Sequence, residues 1–256
     1  MLALLGALKS ETASVRKRMT VDFVGAASSC RLAQGRFRGT PMVLATTGMG
    51  RQRAEAAARY VLEAYSISFL ISFGFAGALT DELRVGDVVL GSALHVRADD
   101  EAQSAPLEPI VLDASMRSLA EQALLRAGVD FSVAEGVTVP DLLCDVDDKT
   151  ALAKATGARM VDMESYWIAA AAAERGVPFL TLRAISDTKA EGLLPFTQLM
   201  TPDGRWKARQ TALYFIQRPH DVVVLLRMAG TIPRAKRTLA ASIEALMDGL
   251  GQGGGA

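Results

Sequence analysis

The sequence predicts an α/β domain: a twisted mixed β-sheet flanked by helices, with a helical C-terminal extension. Three observations carry this. Between Leu2 and Asp187 short apolar runs alternate with longer segments of helical periodicity. Half of the 256 residues are hydrophobic and acids balance bases at 28 each, a globular composition. Beyond Asp187 the strand pattern stops, and Lys207 to Leu250 reads as helical stretches alone.

The elements follow in order. LALLG (Leu2–Gly6) is a buried strand, and PMVLATT (Pro41–Thr47) is another. GMG then turns the chain into RQRAEAAARYVLEAY, rich in helix formers with apolar positions at three- and four-residue steps. SFLISFG (Ser68–Gly74) is a strand entering a glycine turn, GFAGAL, and GDVVLGSALHV is a strand beginning at Gly86. Ser115 to Ala127 is a helix that Gly128 stops. FSVAEGVTV is a strand, and Asp147 to Thr156 a short helix. RMVDM approaches the helix ESYWIAAAAAERG, which Gly176 and Pro178 close, and PFLTLRAISD is the last strand. GLLPFTQLMTPDGRW is loop-like, and three helical stretches follow, broken at Pro219 and Pro233. Residues 1–250 are thus expected to form one domain, with 206–250 as its extension and 251–256 (GQGGGA) as a disordered tail. There is no internal repeat.

Composition excludes several classes. A neutral charge balance offers no general attraction to nucleic acid. Cys30 and Cys144 form no CxxC pair and suggest a reducing compartment. His95 and His220 stand far apart, without partners at metal-ligand spacing, so no metal is expected. No apolar run reaches the roughly 18 residues of a membrane span. In the opening MLALLGAL the positive charge follows the apolar run, the reverse of a secretory signal. A cytoplasmic protein is expected.

Candidate chemistry gathers where strands end. GMG (Gly48–Gly50) joins a strand to a helix, whose free N–H groups could hold a phosphate or ribose oxygen with help from Arg51; a plain tight turn is the simpler reading, since glycine is the default residue there. GFAG (Gly74–Gly77) carries Phe75, an aromatic for a sugar or base, or for the core. Glu11 follows the first strand, Glu164 begins a helix and Asp187 ends the last strand. Each alone reads as a helix-end or turn acid. Together, strand ends of one sheet can converge on a cleft. Three carboxylates there could bind sugar hydroxyls, activate a water and protonate a leaving group.

GALKSE after the first strand, GMG, SFGFAGAL before VGDVVLGS, VDMES before an alanine-rich helix, and RAISD occur in this order. Over residues 2 to about 190 the chain resembles the nucleoside phosphorylase and nucleosidase superfamily, which includes purine and uridine phosphorylases and methylthioadenosine nucleosidase. The resemblance implies cleavage of a purine nucleoside without metal or organic cofactor, with phosphate as a candidate co-substrate. Met163 and Glu164 would hold the ribose, with the helix dipole helping to keep Glu164 ionised, and Asp162 would be solvated or structural. Asp187 would protonate N7 of the base, oriented by Ser186, and Glu11 would activate water. Gly48, Gly50, Arg51 and Gly74 would line the nucleophile side. Ser72 stands where the phosphorylase branches carry a phosphate-binding arginine, and Phe75 replaces a small residue. LMTPDGRW and QRPHDVVVLLRMAGTIPRAKRTLAASIEAL resemble the tail of phosphorylase-like proteins associated with hopanoid synthesis. That implies adenine release from a 5′-lipid-substituted adenosine such as adenosylhopane. The apolar stretch Val222–Leu226, flanked by arginines, would either touch a membrane or pack on the core or a neighbouring subunit. A homo-oligomer is implied by the same resemblance.

Overall fold

The computed structural model describes residues 1–27, 30–97, 107–201 and 203–252. Strand β1 (Leu2–Gly6) lies between β4 (Thr40–Thr46) and β5 (Phe69–Ala78), parallel to both, with Leu4 opposite Leu44 and Ile71. Both faces of this central strand are covered, so Ala3, Leu4 and Leu5 are fully buried and the run is continuously apolar. With β2 (Met19–Ala27), β3 (Cys30–Phe37), β6 (Val88–Val96), β8 (Ser132–Thr138), β9 (Met160–Asp162) and β10 (Phe179–Asp187), the sheet order is β10-β6-β8-β9-β5-β1-β4-β3-β2, and β10 also pairs with β5. Strands β5, β9, β8, β6 and β10 thereby close a ring, with the short β7 (Ile110–Val111) beside β6.

Helices cover both faces. On one, α1 (Lys9–Arg18), α3 (Ala114–Arg126) and α8 (Val222–Gln252) contribute Val15, Leu124, Leu239 and Ile243 to the larger core. On the other, α2 (Arg51–Ala64) and α5 (Ser165–Glu174) contribute Val61 and Ile168. Helix α4 (Val146–Thr156) buries only Lys149 and Leu152.

Four expectations are corrected. GFAG is not a turn: β5 runs on to Ala78, because Arg183 to Asp187 of β10 pair with it through Gly77. Pro233 does not break the C-terminal helix, since α8 passes through it. The missing hydrogen bond and ring clash of a mid-helix proline are outweighed there by packing of Ala235, Leu239, Ile243 and Leu246 into the core. The loop before α7 (Ala208–Gln217) contains one helical turn, α6 (Phe196–Leu199). Of the tail, Gly251 and Gln252 end α8, and residues 253–256 lie outside the described residues.

The hairpin β2 (Met19–Ala27) and β3 (Cys30–Phe37) was not anticipated. It extends the sheet edge, and β2 exposes Phe23 and Val24, so it lacks a clean inward-facing alternation. The extension differs from the body as well. Helix α7 has no buried residue, and a single 3₁₀ turn at Pro219–Asp221 joins it to α8.

Candidate active site

The C-terminal ends of β1, β5 and β10 lie side by side, which in a sheet with parallel neighbours is where ligands bind. Glu11 sits in the first turn of α1, just after β1. Its Oε2 accepts from the Leu8 amide at 2.8 Å, and its Oε1 from the Phe75 amide at 3.0 Å. The side chain thus caps its helix and ties it to β5. Glu164 opens α5 but makes no side-chain cap to its own helix; Oε1 accepts from the Gly50 amide, 2.8 Å away across the cleft. The cap is Asp162, whose Oδ1 accepts from the Ser165 amide at 3.2 Å. Asp187 ends β10, with Oδ1 accepting from Ser186 Oγ at 2.7 Å.

Glu11, Glu164 and Asp187 are 5%, 9% and 5% exposed, and all three line one cavity of about 130 Å³. Met163, Ser186 and Phe75 share that lining, as do Met49 and Lys149. The glycines of β5 explain themselves here. A Cβ at Gly74 would stand 2.5 Å from Glu11 Oε1, and one at Gly77 would stand 2.9 Å from Asp187 Oδ2. Only a missing side chain leaves room for the two carboxylates. Gly48 and Gly50 turn the chain with φ of 84° and 91°, and the turn aims the Gly50 amide at Glu164. Arg51 is not in the cavity lining. Its guanidinium lies 3.8 Å from the Trp167 ring centroid, a cation–π contact.

Burial dominates the electrostatics. It raises the proton affinity of Glu11 above the ordinary carboxylate range, against the pull of the backbone amides. Glu164 is pushed up to about 8, first by burial and then by the Asp162 carboxylate, which the Gly50 amide and Arg183 only partly offset. Burial therefore works against the helix end, which favours the ionised form of Glu164. Asp187 is raised by burial too, against Lys149 and Ser186.

Two basic residues beneath the site were missed. Arg183 is 2% exposed; its Nε donates to Asp162 Oδ2 at 2.9 Å and its Nη2 to Ser72 Oγ at 2.7 Å and Ser165 Oγ at 2.6 Å. Asp162 is therefore an ion-paired structural residue, not a solvated one, and Ser72 serves the same network. An arginine inside the apolar run FLTLRAI was the available signal. The Lys149 ammonium lies 2.6 Å from Asp187 Oδ2, with the two side chains 1% and 6% exposed. Its spacing from Leu152, one helical step away, was the only hint that it faces inward.

The cavity opens into a larger, mainly apolar annex of about 540 Å³. Phe75, Met163 and Asp187 border both spaces; Met200, Trp206, Met228 and Ile232 line the annex alone. Among the described residues, no group of three or more His, Cys, Asp or Glu side chains could hold a metal ion.

Three buried carboxylates lining one cavity at adjoining strand ends of such a sheet make it the candidate active site of an α/β enzyme. Comparison with known proteins narrows this. Residues 2–212 match the phosphorylase superfamily, and the chain belongs to it. It is 26% identical over 197 residues to a 5′-methylthioadenosine/S-adenosylhomocysteine nucleosidase of Shewanella halifaxensis, covering 73% of this chain and 85% of that one. A nucleosidase of the same description from Geobacillus kaustophilus is 26% identical over 199 residues, covering 74% and 85%. Among solved structures, futalosine hydrolase of Helicobacter pylori superposes with a TM-score of 0.75 at 16% identity, covering 96% of this chain and 97% of that one. The Neisseria meningitidis 5′-methylthioadenosine/S-adenosylhomocysteine nucleosidase in complex with methylthio-immucillin-A gives 0.75 at 20% identity, with the same coverage. At these identities the two structures speak to the fold.

Proposed function

We propose that this chain cleaves the N-glycosidic bond of a purine nucleoside, releasing adenine from an adenosine with a bulky apolar 5′ group, of which adenosylhopane is an example. The carrying observation is one cavity that joins three buried carboxylates to an apolar annex. Asp187 delivers a proton to N7 as the bond to the sugar breaks; its raised proton affinity suits an acid. Glu164 and Met163 hold the ribose as it gains positive charge. Glu11 takes a proton from the attacking water; burial makes it a stronger base than an exposed glutamate.

Water is favoured over phosphate. Among the described residues no arginine lines the inner cavity, and the backbone amides of Leu8, Phe75 and Gly50 are already spent on Glu11 and Glu164. The decisive assay follows adenine release from 5′-substituted adenosines with and without phosphate. Release that needs phosphate rejects the hydrolytic assignment, and no release from any of them rejects the reading. A second reading, cleavage of 5′-methylthioadenosine or S-adenosylhomocysteine, rests on the names of the relatives. The size of the annex favours a larger 5′ group. A purely binding role would leave the burial of three carboxylates without purpose, since each costs free energy to desolvate.

The extension supports peripheral contact with an anionic membrane, where a lipid-linked substrate would reside. Residues 193–239 hold eight lysines and arginines against two acids, and the rest of the chain twenty against twenty-six. On the same segment Leu213, Ile216, Val223 and Leu226 are exposed. Basic residues around an apolar patch fit a negatively charged bilayer. No helix among the described residues is long and apolar enough to cross a membrane. Sedimentation with vesicles containing phosphatidylglycerol, against neutral vesicles, tests this contact. A homo-oligomer is the expected assembly, and light scattering of the purified chain tests it.

A further inference from the structure

Lys149 takes no part in the roles above, yet it is the cation nearest the proposed acid. A carboxylate that must give a proton is poorly served by a fixed positive charge, which favours its ionised form. The surroundings of Lys149 resolve the conflict. Its three N–H positions are all assigned: one to Asp187 Oδ2 at 2.6 Å, one to the Thr188 carbonyl at 3.0 Å and one to the Glu191 carbonyl at 2.9 Å. The two carbonyls would remain satisfied by the two N–H groups of a neutral amine. The third position is the one shared with Asp187. Other charged groups around the pair are engaged elsewhere: the Glu191 carboxylate takes the Thr188 amide and Arg227. The neighbouring Cys144 thiol is held in its neutral form by burial.

From this geometry we infer that Lys149 is the proton source behind Asp187, a positioning residue that acts through the acid. The inference rests on the function proposed above. As the C1′–N9 bond breaks, its electron pair goes to the base. The base is neutralised at N7 by a proton from the Asp187 carboxyl, and that carboxyl draws its proton from the Lys149 ammonium. Lys149 ends as the neutral amine, and solvent recharges it once the base leaves. Glu11 takes the proton of the water whose oxygen bonds to C1′, so charge and atoms balance.

The test pairs two substitutions with two leaving groups. Lys149→Met removes the proton; Lys149→Arg keeps a cation, but a guanidinium does not release a proton in this pH range. Each is assayed on an adenosine substrate and on p-nitrophenyl riboside, whose leaving group departs without protonation. Both variants are expected to lose about 100-fold or more in kcat on adenosine relative to their loss on the nitrophenyl riboside, the scale of general-acid assistance. Recovery of the wild-type adenosine rate by Lys149→Arg would overturn the inference, because charge alone would then suffice. Equal losses on both substrates would overturn it too, and would mark a purely structural lysine even in a poorly folded variant. Failure of the wild type to release adenine at all is a different result: it rejects the proposed function itself.

Discussion

The floor of the cavity and the α7–α8 extension are built on opposite terms. The floor is over-determined. Glu11 is held by two backbone amides, Asp187 by Ser186 and Lys149, and Asp162 by Arg183 and Ser165. The extension is uneven: α7 buries no residue and exposes Leu213 and Ile216, while Ala235, Leu239, Ile243 and Leu246 of α8 pack into the core. Bond cleavage needs groups held within fractions of an ångström, so it belongs on strand ends and buried networks. Recognition of a large apolar group tolerates looser geometry, because the driving force scales with area and has no direction. The two regions meet in the annex, whose lining joins Met228 and Ile232 of α8 to Phe75, Met163 and Asp187.

The contrast can be broken most forcefully at the floor. Asp187→Asn should lower turnover by about two to four orders of magnitude, the range of a lost general acid. Adenine release at the wild-type rate would show that the proton comes from elsewhere. Gly74→Ala puts a methyl group 2.5 Å from Glu11 Oε1 and must displace that carboxylate. A loss near 100-fold in kcat is expected, as for a misplacement of about 1 Å, and an unchanged kcat would mean that Glu11 does not act on water.

Glu164 sharpens the comparison through stability. Its folded-state proton affinity lies above the unfolded value of 4.5, at about 8. The folded chain therefore binds the proton more tightly, and stability falls as pH climbs through that window. The slope from one group cannot exceed about 1.4 kcal/mol per pH unit. Glu164→Gln should match the wild type in thermal unfolding at pH 4 and exceed it at pH 8, while losing activity. Parallel melting curves across that range would show that Glu164 stays ionised.

Changes in the extension should be milder and substrate-selective. Ile232→Ala should weaken binding of an adenosine with a long 5′ alkyl chain by about tenfold, the scale of 1–3 kcal/mol for lost apolar contact. Adenosine itself should be unaffected, and equal effects on both would remove the annex from the substrate path. Smallest of all, Leu213→Glu with Ile216→Glu should shift unfolding stability by no more than about 0.5 kcal/mol per site, as for exposed positions. The pair should nonetheless abolish sedimentation with anionic vesicles; a large loss of stability instead would show that α7 is packed in the intact assembly.

Much of this was legible in the sequence, and the misses follow a pattern. The apolar runs at Leu2–Gly6, Ser68–Phe73 and Phe179–Ile185 announced β1, β5 and β10, because strands buried on both faces admit little else. The β2–β3 hairpin escaped because a sheet edge half open to solvent imposes no strong pattern. The acids at positions 11, 164 and 187 were visible as residues at strand and helix ends. Gly74 and Gly77 were misread as a turn because glycine marks both a turn and a close approach, and only the partner side chain distinguishes them.

The sequence by itself determined the α/β class, the central strands and the identity of three candidate acids, since these follow from periodicity and residue type along the chain. Tertiary structure alone decided that those acids share a cavity, that Lys149 and Arg183 adjoin them, and that burial raises the proton affinity of Glu164. Proximity and desolvation decide such matters, and both depend on contacts remote in sequence, as between Gly50 and Glu164.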